Sequence, residues 1–279
     1  MALLNFSHSG SAPAADTFIP GGLTRPDDWF ALGKTAYDYA DGKVYLGAWS
    51  RVALRGIQDE EAVAHGLGQL SWPGSAQQIL ASPLSATARE FARGLADRLG
   101  DEEAASPAGA ARVAISAEDE QLRAVPARVR VALAESSYTV FRGAEELAHH
   151  AEPEEAWEHV RELLQQEAAD AAAYGAGAAG TGDRPANTGS VGPIGWLADH
   201  CDDGLVDLGT ALPDGVLPAE YATLLGHLGV PITVTPFGGL VLHGLAEGDA
   251  DVVLRVLAPR GFIFDASAVS PEGIVSPMG

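Results

Sequence analysis

Arg128-Val-Arg-Val-Ala-Leu-Ala134, Glu135-Ser-Ser137 and Tyr138-Thr-Val-Phe-Arg142 are the stretch that decides the fold. In the first run Val129, Val131 and Leu133 share one face, the period of two expected of a strand with one buried side. The polar residues 135–137 interrupt that run, and the next is again β-branched and aromatic, so the stretch reads as an antiparallel pair. Arg112 to Ser116 reads as a neighbouring strand. Pro153 then opens a helix to about Asp170 that turns Trp157, Val160, Leu164 and Ala168 inward, three or four residues apart. Strands followed by a helix, without alternation of the two, argue for an α+β fold: antiparallel sheets with helices packed on one face.

Working outward, the chain divides into two packed regions. Residues 1–25 are rich in Ser, Gly, Ala and Pro and read as an irregular N-terminal arm. Residues 26–170 form the larger α+β domain, residues 171–192 an Ala/Gly-rich linker, and residues 193–279 a smaller α+β domain. In the larger domain, Tyr37–Ala40 and Lys43–Leu46 flank Asp41-Gly42, a pair suited to a type I′ hairpin turn, and Arg51 to Ile57 supplies a third strand. Helices are expected over Asp59–Leu70 and Pro83–Leu99. In the smaller domain, Pro193–His200 and Pro218–Leu228 read as helices. Ile232–Thr235 and Leu240–His243 read as a hairpin, Gly261–Asp265 as a strand, and Asp251–Leu257 fits strand or helix equally.

Two phosphate-binding patterns fail on their surroundings. Gly175, Gly177 and Gly180 have the GxGxxG spacing, but they close an acidic Ala-rich helix, whereas the dinucleotide motif follows a strand and opens a helix. Gly33-Lys34-Thr35 matches the end of a phosphate loop, but Asp28 stands where the loop needs glycine. No family resemblance emerges and no cofactor follows.

Composition bounds the function. Hydrophobic residues make up 47% of 279, enough for a sizeable core. No apolar run reaches membrane-spanning length and the N-terminus has no secretory pattern, which points to a cytoplasmic protein. The net charge of −21 falls mostly after residue 100, where 28 acids face 9 bases. Such a chain repels phosphate backbones, so neither nucleic acid nor membrane is an expected partner. Two lysines against fifteen arginines, with abundant Ala and Gly, suggest a GC-rich bacterial genome.

Residues that carry chemistry are scattered. Glu155, His159 and Glu162 share one helix face, with His149, His150 and Glu152 just before it, a spacing that suits a divalent metal. Asp199-His200-Cys201-Asp202-Asp203 clusters a thiol with an imidazole, yet adjacent helical residues diverge by roughly 100° and carboxylates oppose a thiolate. Trp29, Tyr37, Tyr45 and Trp49 concentrate aromatic surface near the N-terminus and are the candidate residues for a protein or peptide partner. The expected function is therefore that of a soluble acidic bacterial binding or accessory protein acting through a partner surface. The alternative is an enzyme, metal-assisted and biosynthetic, whose site is assembled from dispersed residues such as Glu155, His159, Glu162, His200, Asp202 and Asp203.

Overall fold

The computed structural model describes residues 5–7, 13–72, 78–99, 111–117, 122, 125, 127–135, 137–173, 192–201, 204–270 and 273–274. In chain order the elements are β1 (Asn5–Ser7), β2 (Ala14–Phe18), β3 (Leu23–Thr24), α1 (Pro26–Tyr39), β4 (Lys43–Gly47), β5 (Arg51–Arg55), α2 (Glu60–Leu67), β6 (Ile79–Ala81) and α3 (Ala86–Leu99). Next come β7 (Ala111–Ser116), β8 (Ala127–Ala134), β9 (Ser137–Arg142), β10 (Glu145–His150) and α4 (Pro153–Ala173). The last part holds β11 (Gly195–Leu197), β12 (Leu205–Thr210), β13 (Val216–Pro218), α5 (Ala219–His227), β14 (Ile232–Val234), β15 (Leu240–Ala246) and α6 (Glu247–Leu257), then the short pair β16 (Val269–Ser270) and β17 (Gly273–Ile274). The fold is α+β, as the stretch 128–142 implies. No described helix is long and apolar enough to cross a membrane.

Three five-stranded sheets organise these elements. The first has the order β1-β2-β5-β4-β13 and the third β11-β12-β15-β14-β3, both antiparallel throughout. The second, β10-β9-β8-β7-β6, is antiparallel over β8–β10 and parallel over β6–β8. One hydrophobic core lies between the first and third sheets and takes in α1, α2, α5 and α6, from Ala15 to Phe262. A second lies under the second sheet, where Val113, Val129 and Val131 meet Phe91 and Leu95 of α3 and Val160 and Leu164 of α4.

This packing groups the chain differently from a division at residues 26–170 and 193–279. β3 pairs with β14, with Ile232 opposite Thr24, and β13 pairs with β4, with Leu217 opposite Val44. Residues 1–25, expected to be irregular, supply β1, β2 and β3, because Ala15 and Thr17 alternate inward along β2. Of the linker 171–192, residues 171–173 continue α4, residue 192 is in an irregular segment, and residues 174–191 lie outside the described residues.

Local readings are corrected for physical reasons. Tyr37 to Ala40 form no hairpin strand. They end α1, whose Trp29, Leu32 and Ala36 are fully buried at helical spacing, with Pro26 in its first turn and Asp28 accepting the Arg25 N–H at 2.7 Å. Asp41-Gly42 is still a turn, linking helix to strand. Residues 195–200 form β11 and a single 3-10 turn, since Trp196 pairs with Leu208. Ile263 makes only an isolated bridge to Ala211, and Asp251–Leu257 belongs to α6. Gly33 serves helix contact: a Cβ there would lie 2.6 Å from Thr223 Oγ1 of α5, while Lys34 points outward and pairs with Asp38.

Candidate functional site

Among the described residues, the first sheet has one face covered by helices and one without a helix over it. Its helix contacts run through α1 and α5, on the side of Val44, Leu46, Leu54 and Leu217. Strand alternation puts Tyr45, Arg51 and Arg55 on the other side, with Phe18 and Val216 beside them. The Arg55 guanidinium sits 4.1 Å from the centre of the Tyr45 ring. Tyr45 donates its hydroxyl to Asp41 at 2.6 Å, and Arg51 pairs with Asp16 at 3.3 Å. Burial, then the hydrogen bond and charge of Asp41, push the Tyr45 phenol above its ordinary value despite Arg55. This face offers two guanidinium groups and a ring on a chain whose net charge is −21.

Next to it the three sheets meet at the turn Ile19-Pro20-Gly21-Gly22. Ile19 N–H donates to Ser50 O, Gly21 N–H to Ile79 O, and Val234 N–H to Gly22 O, one bond to each sheet. Gly22 has φ +76°, and a Cβ on it would stand 2.2 Å from Val234 O, so only glycine fits. The β4–β5 hairpin beside this turn holds Trp49 and Ser50 at φ 67° and 53°. Left-handed backbone at such residues persists only where surroundings over-determine it, here the Ser50 O bond and the Trp49 N–H bond to Pro236 O. Ser50 Oγ, Gln78 Oε1 and Arg89 Nε are buried here without a hydrogen-bond partner among the described residues.

The far face of the third sheet carries a linear polar relay. Thr233 Oγ1 lies 2.7 Å from His243 Nε2, His243 Nδ1 lies 2.6 Å from Asp207 Oδ2, and Gly244 N–H donates to Asp207 Oδ1 at 2.8 Å. A carboxylate only accepts, so His243 Nδ1 carries the proton in that bond. Burial works to raise the Asp207 pKa, but the bonds from His243, Gly244 and Cys201 with the His243 charge win, and the carboxyl is held below its usual range. Arg89 of α3 feels the Asp207 charge across the junction, while burial lowers its own pKa. Thr233, His243 and Asp207 are 0%, 9% and 6% exposed, so the relay is buried and ties three strands together.

The sequence-derived residues separate. Trp29 is fully buried and donates Nε1–H to Thr24, so it belongs to the core. Trp49 packs with Phe237 on a small cluster of Leu80, Ala114, Leu122 and Val125, between the second sheet and the two hairpin loops. Tyr37 projects into solvent from α1, and Tyr45 alone occupies the open sheet face. The four aromatics therefore do not form one patch, because a helix rather than a strand carries the first two. Among the described residues no three His, Cys, Asp or Glu side chains are placed to hold a metal ion, so Glu155, His159 and Glu162 are not assembled as a three-donor set. The structure pairs His159 Nδ1 with His150 Nε2 at 3.0 Å instead, and Glu155 lies 3.6 Å from His150 Nδ1. Burial and then the His150 charge lower the His159 pKa, against Glu162. Asp202 and Asp203 lie outside the described residues, and His200 ends the 3-10 turn before Cys201, whose thiol reaches Leu197 O at 3.7 Å.

Sequence reasoning missed the relay and the arginine face. The signals were present: Thr233 and His243 interrupt apolar strands at positions that alternation sends away from the core, and Arg51 and Arg55 sit four apart on one strand.

No family model matches the sequence, and neither does any curated protein. Among solved structures the chain is similar to the Mycobacterium tuberculosis NirA protein, with a TM-score of 0.68 and 15% identity, over 92% of this chain and 58% of that one. At this identity the likeness shows the fold alone, and the chain spans under two thirds of its neighbour's length.

Proposed function

We propose that this chain is a bacterial, cytoplasmic binding or accessory protein that takes a protein or peptide partner on the open face of the first sheet. One observation carries the reading: Tyr45, Arg51 and Arg55 gather on a sheet face that α1 and α5 leave open, on a strongly acidic chain. Tyrosine and arginine are the residue types that dominate binding energy at interfaces, and an arginine stacked on a ring keeps its donors free for a partner carboxylate. The codon-linked excess of arginine over lysine supports the bacterial setting.

A photo-crosslinking residue at position 45 tests this. Crosslinks to a defined partner from 45, absent from position 37 and lost on Arg51→Glu or Arg55→Glu, support the reading. Equal crosslinking from 37 and 45, or indifference to both charge reversals, overturns it.

A second reading, an enzyme with a dispersed acid–base site, draws on the Thr233–His243–Asp207 relay. A hydroxyl-directed organophosphorus probe distinguishes it. Labelling of Thr233 in the folded protein requires an opening that its burial argues against.

A further inference from the structure

We propose that His150 and His159 form a two-imidazole site for a divalent transition metal ion, Zn2+ in the test below, at the seam between β10 and α4. The pleat sorts the adjacent histidines: His149 is opposite Thr139 and bonds its hydroxyl at 3.0 Å, while His150 is opposite Tyr138. Tyr138 stacks on Phe91 of α3, which identifies the helix-covered face and puts His150 on it, against α4. There the two rings stand edge to face, 83° apart, with one nitrogen of each 3.0 Å from the other.

At this distance one proton lies between the two ring nitrogens, and a metal ion takes its place without adding a charged ligand. Tetrahedral zinc at ~2.0–2.1 Å from each nitrogen wants them ~3.3–3.4 Å apart, a small opening of the observed gap. Glu155, 3.6 Å from His150 Nδ1, favours the tautomer that leaves Nε2 free for metal. For His159 the change is a proton moved from Nδ1 to Nε2, beside the Glu162 charge. The Arg142 charge opposes the cation, but Arg142 is exposed and reaches toward Gln166. Water completes the coordination, since the His150 side chain is 17% exposed and Glu155 65%. Imidazole selects zinc-like ions over Mg2+, which prefers oxygen.

The test is Zn2+ binding by the full chain at pH 7.5 in excess Mg2+, which occupies the carboxylate surface. One Zn2+ per chain is expected. Binding is lost in His150→Gln and in His159→Gln, falls about tenfold in Glu155→Gln, and is unchanged in His149→Gln. No zinc binding by the natural chain, binding unaltered in both His150→Gln and His159→Gln, or equal loss in His149→Gln overturns the proposal. If either variant fails to fold, imidazole 15N spectra of the natural chain decide it. Zinc must shift Nε2 of His150 and Nδ1 of His159 together, and a spectrum in which neither moves overturns the site.

Discussion

The body between the first and third sheets and the body under the second sheet bury the same kinds of side chain but recruit them differently. The second draws its core from residues 79 to 164, one continuous length of chain. The first reaches from Ala15 to Phe262, and its sheets close only when β3 finds β14 and β13 finds β4. Long closures delay stabilising contacts until much of the chain is ordered, whereas local ones need little. The difference shows in the polar interior. The first body holds the Thr24–Trp29 bond, and the outer face of its third sheet carries the Thr233–His243–Asp207 relay; both pin distant strands in register. The second is fastened by rings: Trp157 of α4 donates to Phe91 O at 3.0 Å and carries Arg98 above its face at 3.8 Å.

Substitutions at four positions probe this contrast, the largest first. Gly22→Ala strikes the turn that bonds all three sheets. Left-handed backbone and a Cβ 2.2 Å from Val234 O together cost about 4 kcal/mol, and both bodies should lose hydrogen-exchange protection. Protection kept by either body alone would show that the turn does not couple them.

Asp207→Ala comes next. It strips the His243 ring and the Gly244 N–H of their acceptor and removes one of the two carboxylate charges acting on Arg89, at a cost of about 3 kcal/mol read by denaturant titration. The same carboxyl makes a signed prediction for pH. Its folded pKa is below the unfolded one, so its stabilisation is complete above pH ~4 and lost as pH falls through the folded value. Asp207→Asn should flatten that acid limb. An unchanged limb would place the acid sensitivity elsewhere.

Gly94→Ala tests the second body alone. Its Cβ would meet Trp157 Cζ2 at 2.4 Å and should cost about 2 kcal/mol, with exchange rates in β12, β14 and β15 unaltered. Equal loss in both bodies would break the contrast. The smallest effect is a gain. Ser50→Gly relieves a left-handed residue and removes a buried hydroxyl without a partner, raising stability by about 1 kcal/mol in a thermal melt. A fall instead would mean that the hydroxyl has a role in the folded protein.

Legibility in the sequence followed the same division. In the second body Val129, Val131 and Leu133 announce β8 by alternation and Val160 and Leu164 place α4 against the sheet, but β6, β10 and the parallel pairing of β6, β7 and β8 show in no local pattern. In the first body Tyr37 and Tyr39 mimicked a strand because Asp41-Gly42 followed them, while the helical spacing of Trp29, Leu32 and Ala36 carried the stronger burial. Strands as short as β3 and β13 contain too few residues to display a period, and their partners are 208–210 and 171–175 positions away. Of the candidate site, only Tyr45 stands out in the sequence. Arg51 and Arg55 gain meaning because no helix among the described residues lies over them, which no local pattern records.

Sequence by itself determined the α+β class, the charge of −21, most helices and the alternating strands, because each rests on residues a few positions apart. Tertiary structure alone decided which sheet face stays open, which histidines meet and how Thr233, His243 and Asp207 line up. Those are contacts between distant segments, and what selects them is the shared burial of whole faces.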